Sequence, residues 1–132
     1  MVSNQPEAER VVTKILVDTR KAQILNITRL NNLRHSIIST DIGNFYVLYK
    51  SDFFNSFGVI FGDKGVGESC NEDSLRYAEE NKANLLFVYP DGKIYTISAM
   101  LFRKIATENN WIRKTSTGET TYSIPVRYLT RW

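Results

Sequence analysis

Residues Asn84–Ser98 read NLLFVYPDGKIYTIS. The run Leu85–Tyr89 is apolar throughout and meets Pro90, Asp91 and Gly92, after which a second run alternates from Ile94 onward. Proline presets φ for a turn, aspartate bonds its own backbone, and glycine supplies a positive φ. Two β-rich runs around such a triplet predict a hairpin at the centre of the fold.

Working outward, residues 7–22 predict an amphipathic helix, with Ala8, Val11, Val12, Ile15 and Leu16 on one face. Asn4 and Glu7 make a capping box, and Pro6 suits the first turn. Glu9, Arg10, Lys14 and Asp18 form its solvated face. Residues 24–28 read as a short strand, 29–36 as a helical turn or loop, and Ile37-Ile38 as the start of another strand ended by Asp41–Asn44. Phe45–Lys50 reads as a strand, with 57–61 as its partner. Gly62, Gly65 and Gly67 suggest a loop. Ser69 and Glu72 look like a second capping box before a helix over 71–82 that turns Leu75, Ala78 and Tyr77 inward. Ser98 caps a helix over 99–109 with Met100, Leu101, Ile105 and Ala106, and Trp111 packs where it ends. Thr120–Ile124 is the last strand. Pro125 stops it, and Val126–Trp132 ends in a helical turn. Helices dispersed among hairpins predict a single α+β domain over 1–132, a mixed sheet flanked by three helices.

The 132 residues suffice for a core without disulfide or metal. One cysteine, Cys70, and one histidine, His35, exclude an internal disulfide and a Cys/His zinc cluster. No signal peptide and no apolar run near ~18 residues is visible, so a soluble, cytoplasmic protein without membrane contact is expected. Charge is uneven: residues 1–62 carry +2, 63–91 carry −4 and 92–132 carry +5.

That basic end holds Arg103, Lys104, Arg113, Lys114, Arg127 and Arg131 among Trp111, Tyr122, Tyr128 and Trp132. Cations attract phosphates whatever the sequence, and aromatic rings stack on unpaired bases. The same residues serve equally as solvated surface and core. The loop 62–69 matches neither a P-loop nor a dinucleotide fingerprint, and Asp63 and Glu68 would repel phosphate. No cofactor-binding motif is present. Cys70 at a helix N-terminus could carry a lowered pKa, and a Cys70–His35 pair would need the two to meet in space. His35 lies in a polar stretch and reads as a surface residue. Asp91 and Asp41 read as turn residues.

The strand Phe45–Lys50 ends in a lysine, with Asp41 before it and Asp52 after it. The order of helix 7–22, strands to Lys50, helix 71–82, hairpin and helix 99–109 resembles the restriction-endonuclease-like PD-(D/E)xK family across most of the chain. Asn84–Ile97 looks like the hairpin after the catalytic core in small nucleases. The resemblance implies an aspartate and an acidic residue, two before a lysine, that hold Mg²⁺ while the lysine positions water. Carried over, Lys50 matches the lysine and is the catalytic candidate, and Asp41 matches the aspartate. The acidic position falls on Leu48, which cannot bind metal. A carboxylate such as Asp52, Glu68 or Glu79 would have to substitute. Asp41 and Asp52 are the metal-ligand candidates and Mg²⁺ the implied cofactor. The expectation is a nucleic-acid-associated, nuclease-like domain hydrolysing phosphodiesters. The alternative is a non-enzymatic interaction module, a homo-oligomer or partner binder that buries its aromatic strands and Tyr128–Trp132.

Overall fold

A computed structural model describes residues 1–30, 34–52 and 65–132. The expected strand 57–61 and the glycine-loop residues Gly62 and Asp63 lie outside the described residues. Helix α1 spans Gln5–Lys14 and runs on into a single π-turn at Ile15–Thr19. Strands β1 (Ile24–Leu30), β2 (His35–Thr40) and β3 (Gly43–Tyr49) form an antiparallel meander. Strand β4 (Gly67–Asn71) precedes helix α2 (Glu72–Glu80). The hairpin follows as β5 (Asn84–Val88) and β6 (Ile94–Ser98), then helix α3 (Ala99–Glu108), β7 (Ile112–Lys114), β8 (Thr120–Pro125), a 3₁₀ turn at Val126–Tyr128 and β9 (Thr130–Arg131). The fold is α+β, with three α-helices among the described residues.

Two sheets result. The larger runs β1-β2-β3-β5-β6-β9, and the smaller runs β4-β8-β7. β3 and β5 pair in parallel, while the other neighbours are antiparallel. The large sheet is covered on both faces. Val2, Ala8, Val12 and Leu16 pack with Phe45, Val47, Leu86 and Val88 on one side. Tyr46, Leu48, Leu85 and Phe87 pack with Leu75, Phe102, Trp111 and Ile124 on the other. Coverage of both faces is why β5 reads as an unbroken apolar run.

The hairpin turn follows its residue chemistry. The Gly92 amide donates to the Tyr89 carbonyl at 2.9 Å and the Lys93 amide to Asp91 Oδ1 at 2.9 Å. Gly92 takes φ +87°, the left-handed step after a proline-initiated turn. Asn4 caps α1 by accepting from the Glu7 amide at 2.9 Å, and Ser98 caps α3 by accepting from the Leu101 amide at 3.1 Å. Trp111 packs at the end of α3.

Several expectations are corrected. Arg29 and Leu30 end β1 and His35 and Ser36 begin β2, with Arg34 in a turn whose amide donates to the Leu30 carbonyl at 3.1 Å, so the expected turn is shorter than 29–36, and its residues 31–33 lie outside the described residues. Ser69 does not cap α2. It lies inside β4, and Asn71 accepts from the Ser74 amide at 2.8 Å instead. Glu9 is buried and meets Arg29 at 2.6 Å, so it is not on the solvated face. On α3 the inward residues are Ala99, Phe102 and Ala106, at helical spacing, and this turns Met100 out to 66 % exposure. Val126–Trp132 forms only one 3₁₀ turn before β9 joins β6.

One side chain couples α1 to the sheet. Buried Gln5 donates through Nε2 to the Val47 carbonyl at 2.9 Å, and its Oε1 accepts from the Tyr49 amide at 2.8 Å. The amide thus supplies a donor and an acceptor, as a neighbouring strand would. Gln5→Ala leaves both backbone groups without that partner. The expected loss is about 1–3 kcal/mol, read as a lowered urea midpoint at unchanged m.

Candidate functional site

The register of β3 on β5 sets the site. Leu48 lies beside Phe87 and Tyr49 beside Val88. The Lys50 amide continues the ladder by donating to the Val88 carbonyl at 2.8 Å. Alternation then sends the Lys50 side chain to the face shared by Tyr46 and Leu48. Its ammonium lies 5.9 Å from the Phe87 ring centroid, 3.5 Å from Glu68 Oε1 and 3.3 Å from the Ser69 carbonyl, to which it donates. The other Glu68 oxygen, Oε2, accepts from the Tyr89 hydroxyl.

Glu68 is 2 % exposed. A carboxylate that deep is tolerable only when its charge is met, here by an ammonium and a phenol. Burial raises the Glu68 carboxyl above its ordinary range, and Lys50 and the Tyr89 bond pull it back. Burial and the adjacent Glu68 also raise the Tyr89 phenol.

Above this pair opens a cleft of about 610 Å³ lined by Arg34, His35, Lys50, Ser69, Asn71 and Thr121, among others. Asp73 and Glu119 add carboxylates to the wall, and Asp73 is paired with Arg76 at 2.7 Å. His35 is not a loose surface residue. Its Nδ1 lies 2.9 Å from the Tyr46 hydroxyl and 3.4 Å from Ser74 Oγ. Burial, then the charges of Lys50 and Arg34, hold its pKa down at about 4. Cys70 shares the cleft wall with His35, but burial pushes its thiol up to about 12. It is therefore a protonated, inert core thiol at neutral pH, and the lowered pKa expected at a helix start does not occur.

The other candidates fall in different places. Asp41 sits in the β2–β3 turn, where its Oδ1 accepts from the Gln23 amide at 2.7 Å. Lys50 lies at the far end of β3, roughly 20 Å away at the usual rise per strand residue. The structure does not bring Asp41 and Lys50 together. Asp52 is exposed in the bend after Lys50 and lines a separate hollow of about 280 Å³ with Tyr89 and Tyr95. Its charge also raises the Tyr89 phenol. Glu79 meets Arg103 instead of Lys50. Glu68 is the carboxylate that takes the place beside the lysine.

The basic residues divide as well. Arg103 pairs with Glu72 at 2.8 Å and Glu79 at 2.7 Å, and its guanidinium lies 4.8 Å from the Tyr122 ring centroid. It ties α3 to α2 and β8. Lys104 reaches Glu108 at 4.0 Å. Arg127 lies over Tyr128 at 4.9 Å and Arg131 over Tyr95 at 5.8 Å. Arg113 and Lys114 are exposed on β7. Arg113 stands opposite Thr121, which stands opposite Asn71, and both partners line the cleft. Directly paired residues share a face, so Arg113 flanks the cleft and Lys114 points the other way. Sequence reasoning did not single out Arg34, and it offered Glu68 only as one of three carboxylates, with Asp52 and Glu79, that could stand in beside Lys50.

Among the described residues no group of three or more His, Cys, Asp or Glu side chains could hold a metal ion. Both Glu68 oxygens are engaged, by Lys50 and by Tyr89. No helix among the described residues is long and apolar enough to cross a membrane.

No protein-family model matches the chain, and no curated protein sequence does. Among solved structures, that of D212, a nuclease from a fusselovirus, is similar over 99 % of this chain and 89 % of that chain, with 13 % identity and a TM-score of 0.48. A likeness that loose carries no conclusion about activity.

His35 gives the site a pH signature. Its folded pKa, about 4, lies below the ordinary 6.5. The unfolded chain therefore binds the proton more readily, and stability falls as pH drops from 6.5 toward about 4. His35→Gln removes this contribution. The wild-type-minus-variant difference in unfolding free energy, from urea melts, is expected to shrink across that window and to stay constant above it.

Proposed function

We propose that the protein is a nucleic-acid-associated domain that grips the phosphodiester backbone in the Lys50 cleft. The observation that carries this reading is the wall itself. Lys50 and Arg34 line one open, largely polar cleft, and the register of β7 on β8 sets Arg113 at its flank. Among the described residues, Lys50 is balanced by Glu68 and Asp73 by Arg76, which leaves Arg34 and the flanking Arg113 against Glu119. The +5 balance of residues 92–132 adds long-range attraction. Arg103 does not join that surface, because its guanidinium is spent on Glu72 and Glu79. Lys104, Lys114, Arg127 and Arg131 would contribute field rather than contact.

Hydrolysis is the finer version of this reading. In it Lys50 would orient water at the bound phosphate, with Mg²⁺ supplied from solution. Asp41 is too far away to serve as its ligand, and Asp52 is exposed in the bend beyond the lysine.

Fluorescence anisotropy with labelled single-stranded and duplex DNA and RNA tests the binding. The logarithm of affinity should fall linearly with the logarithm of salt. Arg34→Gln/Arg113→Gln should weaken every sequence alike and reduce the duplex slope by roughly 2, since each phosphate left without its arginine accounts for about 0.9. A slope near zero, or one the double variant leaves unchanged, overturns the reading. Cleavage of the same strands with Mg²⁺ or Mn²⁺ that disappears in Lys50→Ala would establish the hydrolytic version.

A second reading, an interaction module, is favoured by Met100 and Leu101, adjacent on α3 and 66 % and 46 % exposed. The Tyr128–Trp132 segment is less suited to it, since Trp132 packs on Phe45 and Arg20 of its own chain. Sedimentation velocity across concentrations checks this: association that Met100→Lys/Leu101→Lys abolishes supports it, and a strict monomer removes the homo-oligomer.

A further inference from the structure

We propose that the Lys50 ammonium is the resident cation of the cleft, so that the cleft binds a nucleic-acid phosphate without a divalent metal ion. This rests on the nucleic-acid reading for its ligand and on separate geometry for its cation. Two oxygens converge on Nζ, Glu68 Oε1 at 3.5 Å and the Ser69 carbonyl at 3.3 Å. A carboxylate and a backbone carbonyl are the donors a hard divalent cation takes, at about 2.0–2.6 Å. An ion bound to both would occupy the space the ammonium fills, with two positive centres in contact.

The ammonium does not yield that space readily. Glu68 is 2 % exposed, and removing one partner of a buried pair leaves its charge uncompensated. Its second oxygen already accepts from Tyr89. Asp41 and Glu79, which would enlarge a metal site, are held elsewhere by the Gln23 amide and by Arg103. An ammonium carries three hydrogens. Among the described residues two acceptors meet them, and the side chain is 24 % exposed on the cleft wall. A phosphate oxygen entering beside Arg34 and His35 is the natural third acceptor. Lys50 thereby holds Glu68 in place from below and presents charge to the ligand from above.

The test uses the full chain. Oligonucleotide anisotropy is measured in EDTA and in Mg²⁺, and Mn²⁺ uptake is followed by the loss of its free electron-paramagnetic-resonance signal. Equal affinity in both buffers is expected, with no Mn²⁺ site that depends on Glu68. Lys50→Ala vacates the donors. If circular dichroism shows it folded, it should gain Mn²⁺ affinity by about tenfold or more, and Glu68→Gln in that background should erase the gain. A folded Lys50→Ala protein with no gain overturns the proposal. So does a wild-type Mn²⁺ site that Glu68→Gln removes, which needs no folding of the lysine variant. Oligonucleotide binding seen only with Mg²⁺ overturns it while leaving the nucleic-acid reading intact. No binding in either buffer overturns the nucleic-acid reading, and with it the phosphate ligand.

Discussion

Burial of β3 and β5 on both faces is the constraint from which the rest follows. Two central strands with no solvent face must fill every position with apolar side chains, and Phe45–Leu48 and Leu85–Val88 do so. Such strands cannot slip by one residue without exchanging the contents of two different cores. Phe45 and Val47 belong against α1, whereas Tyr46 and Leu48 belong against α2, α3 and the small sheet. The locked parallel register carries past the strand ends. It sets Lys50 and Tyr89 on one face, where the apolar run gives out and polar side chains can begin.

Glu68 fills the gap this creates. A Lys50 ammonium facing the Phe87 ring needs a counter-charge, and Tyr89 needs an acceptor for its hydroxyl. One carboxylate from β4 serves both. Such a pair need not add net stability, because desolvating two charges costs about as much as their attraction returns. What it adds is position. β4 reaches the large sheet at this point, and the Glu68 contacts hold its edge so that Ser69, Asn71 and the start of α2 form one wall of the cleft. Arg103 does the equivalent work on the far side of α2, joining Glu72 and Glu79 to Tyr122 of β8. Both charged residues act as connectors between the helical layer and the two sheets.

The parts legible in the sequence are those set by local chemistry. Pro90-Asp91-Gly92 declares its turn, Asn4 and Ser98 declare their caps, and the β3 and β5 runs declare burial. Strand β4 is not legible. Gly67–Asn71 carries the glycine and serine of a loop, and it is a strand because β8 lies beside it with Cys70 opposite Tyr122. Tertiary pairing overrides weak propensity there. The same non-local step hides the site. The glutamate beside Lys50 comes from that unsignalled strand, while the nearer Asp41 and Asp52 are separated from the lysine by a strand length and by the bend. His35 misleads for a similar reason. Its neighbours in sequence are polar, but its partners Tyr46 and Ser74 come from β3 and α2.

The cleft therefore belongs to no single element. Its floor is the end of the large sheet, one wall is the edge of the small sheet, and the start of α2 closes it behind His35. Sites at such seams depend on both bodies holding their places, since neither supplies enough of the lining alone. Here the side chain that holds the seam, Lys50, is also the one proposed to meet the ligand. The charge that compensates Glu68 is also one of the two cations lining the cleft among the described residues, with Arg34. On the proposed reading, the affinity of the cleft and the integrity of the fold would be coupled through Lys50. An anion that draws the ammonium outward loosens Glu68, and the buried carboxylate then resists the movement. On the proposed reading this would bound how tightly one phosphate is held by Lys50 alone, and would leave the further affinity to Arg34 and Arg113, both exposed side chains.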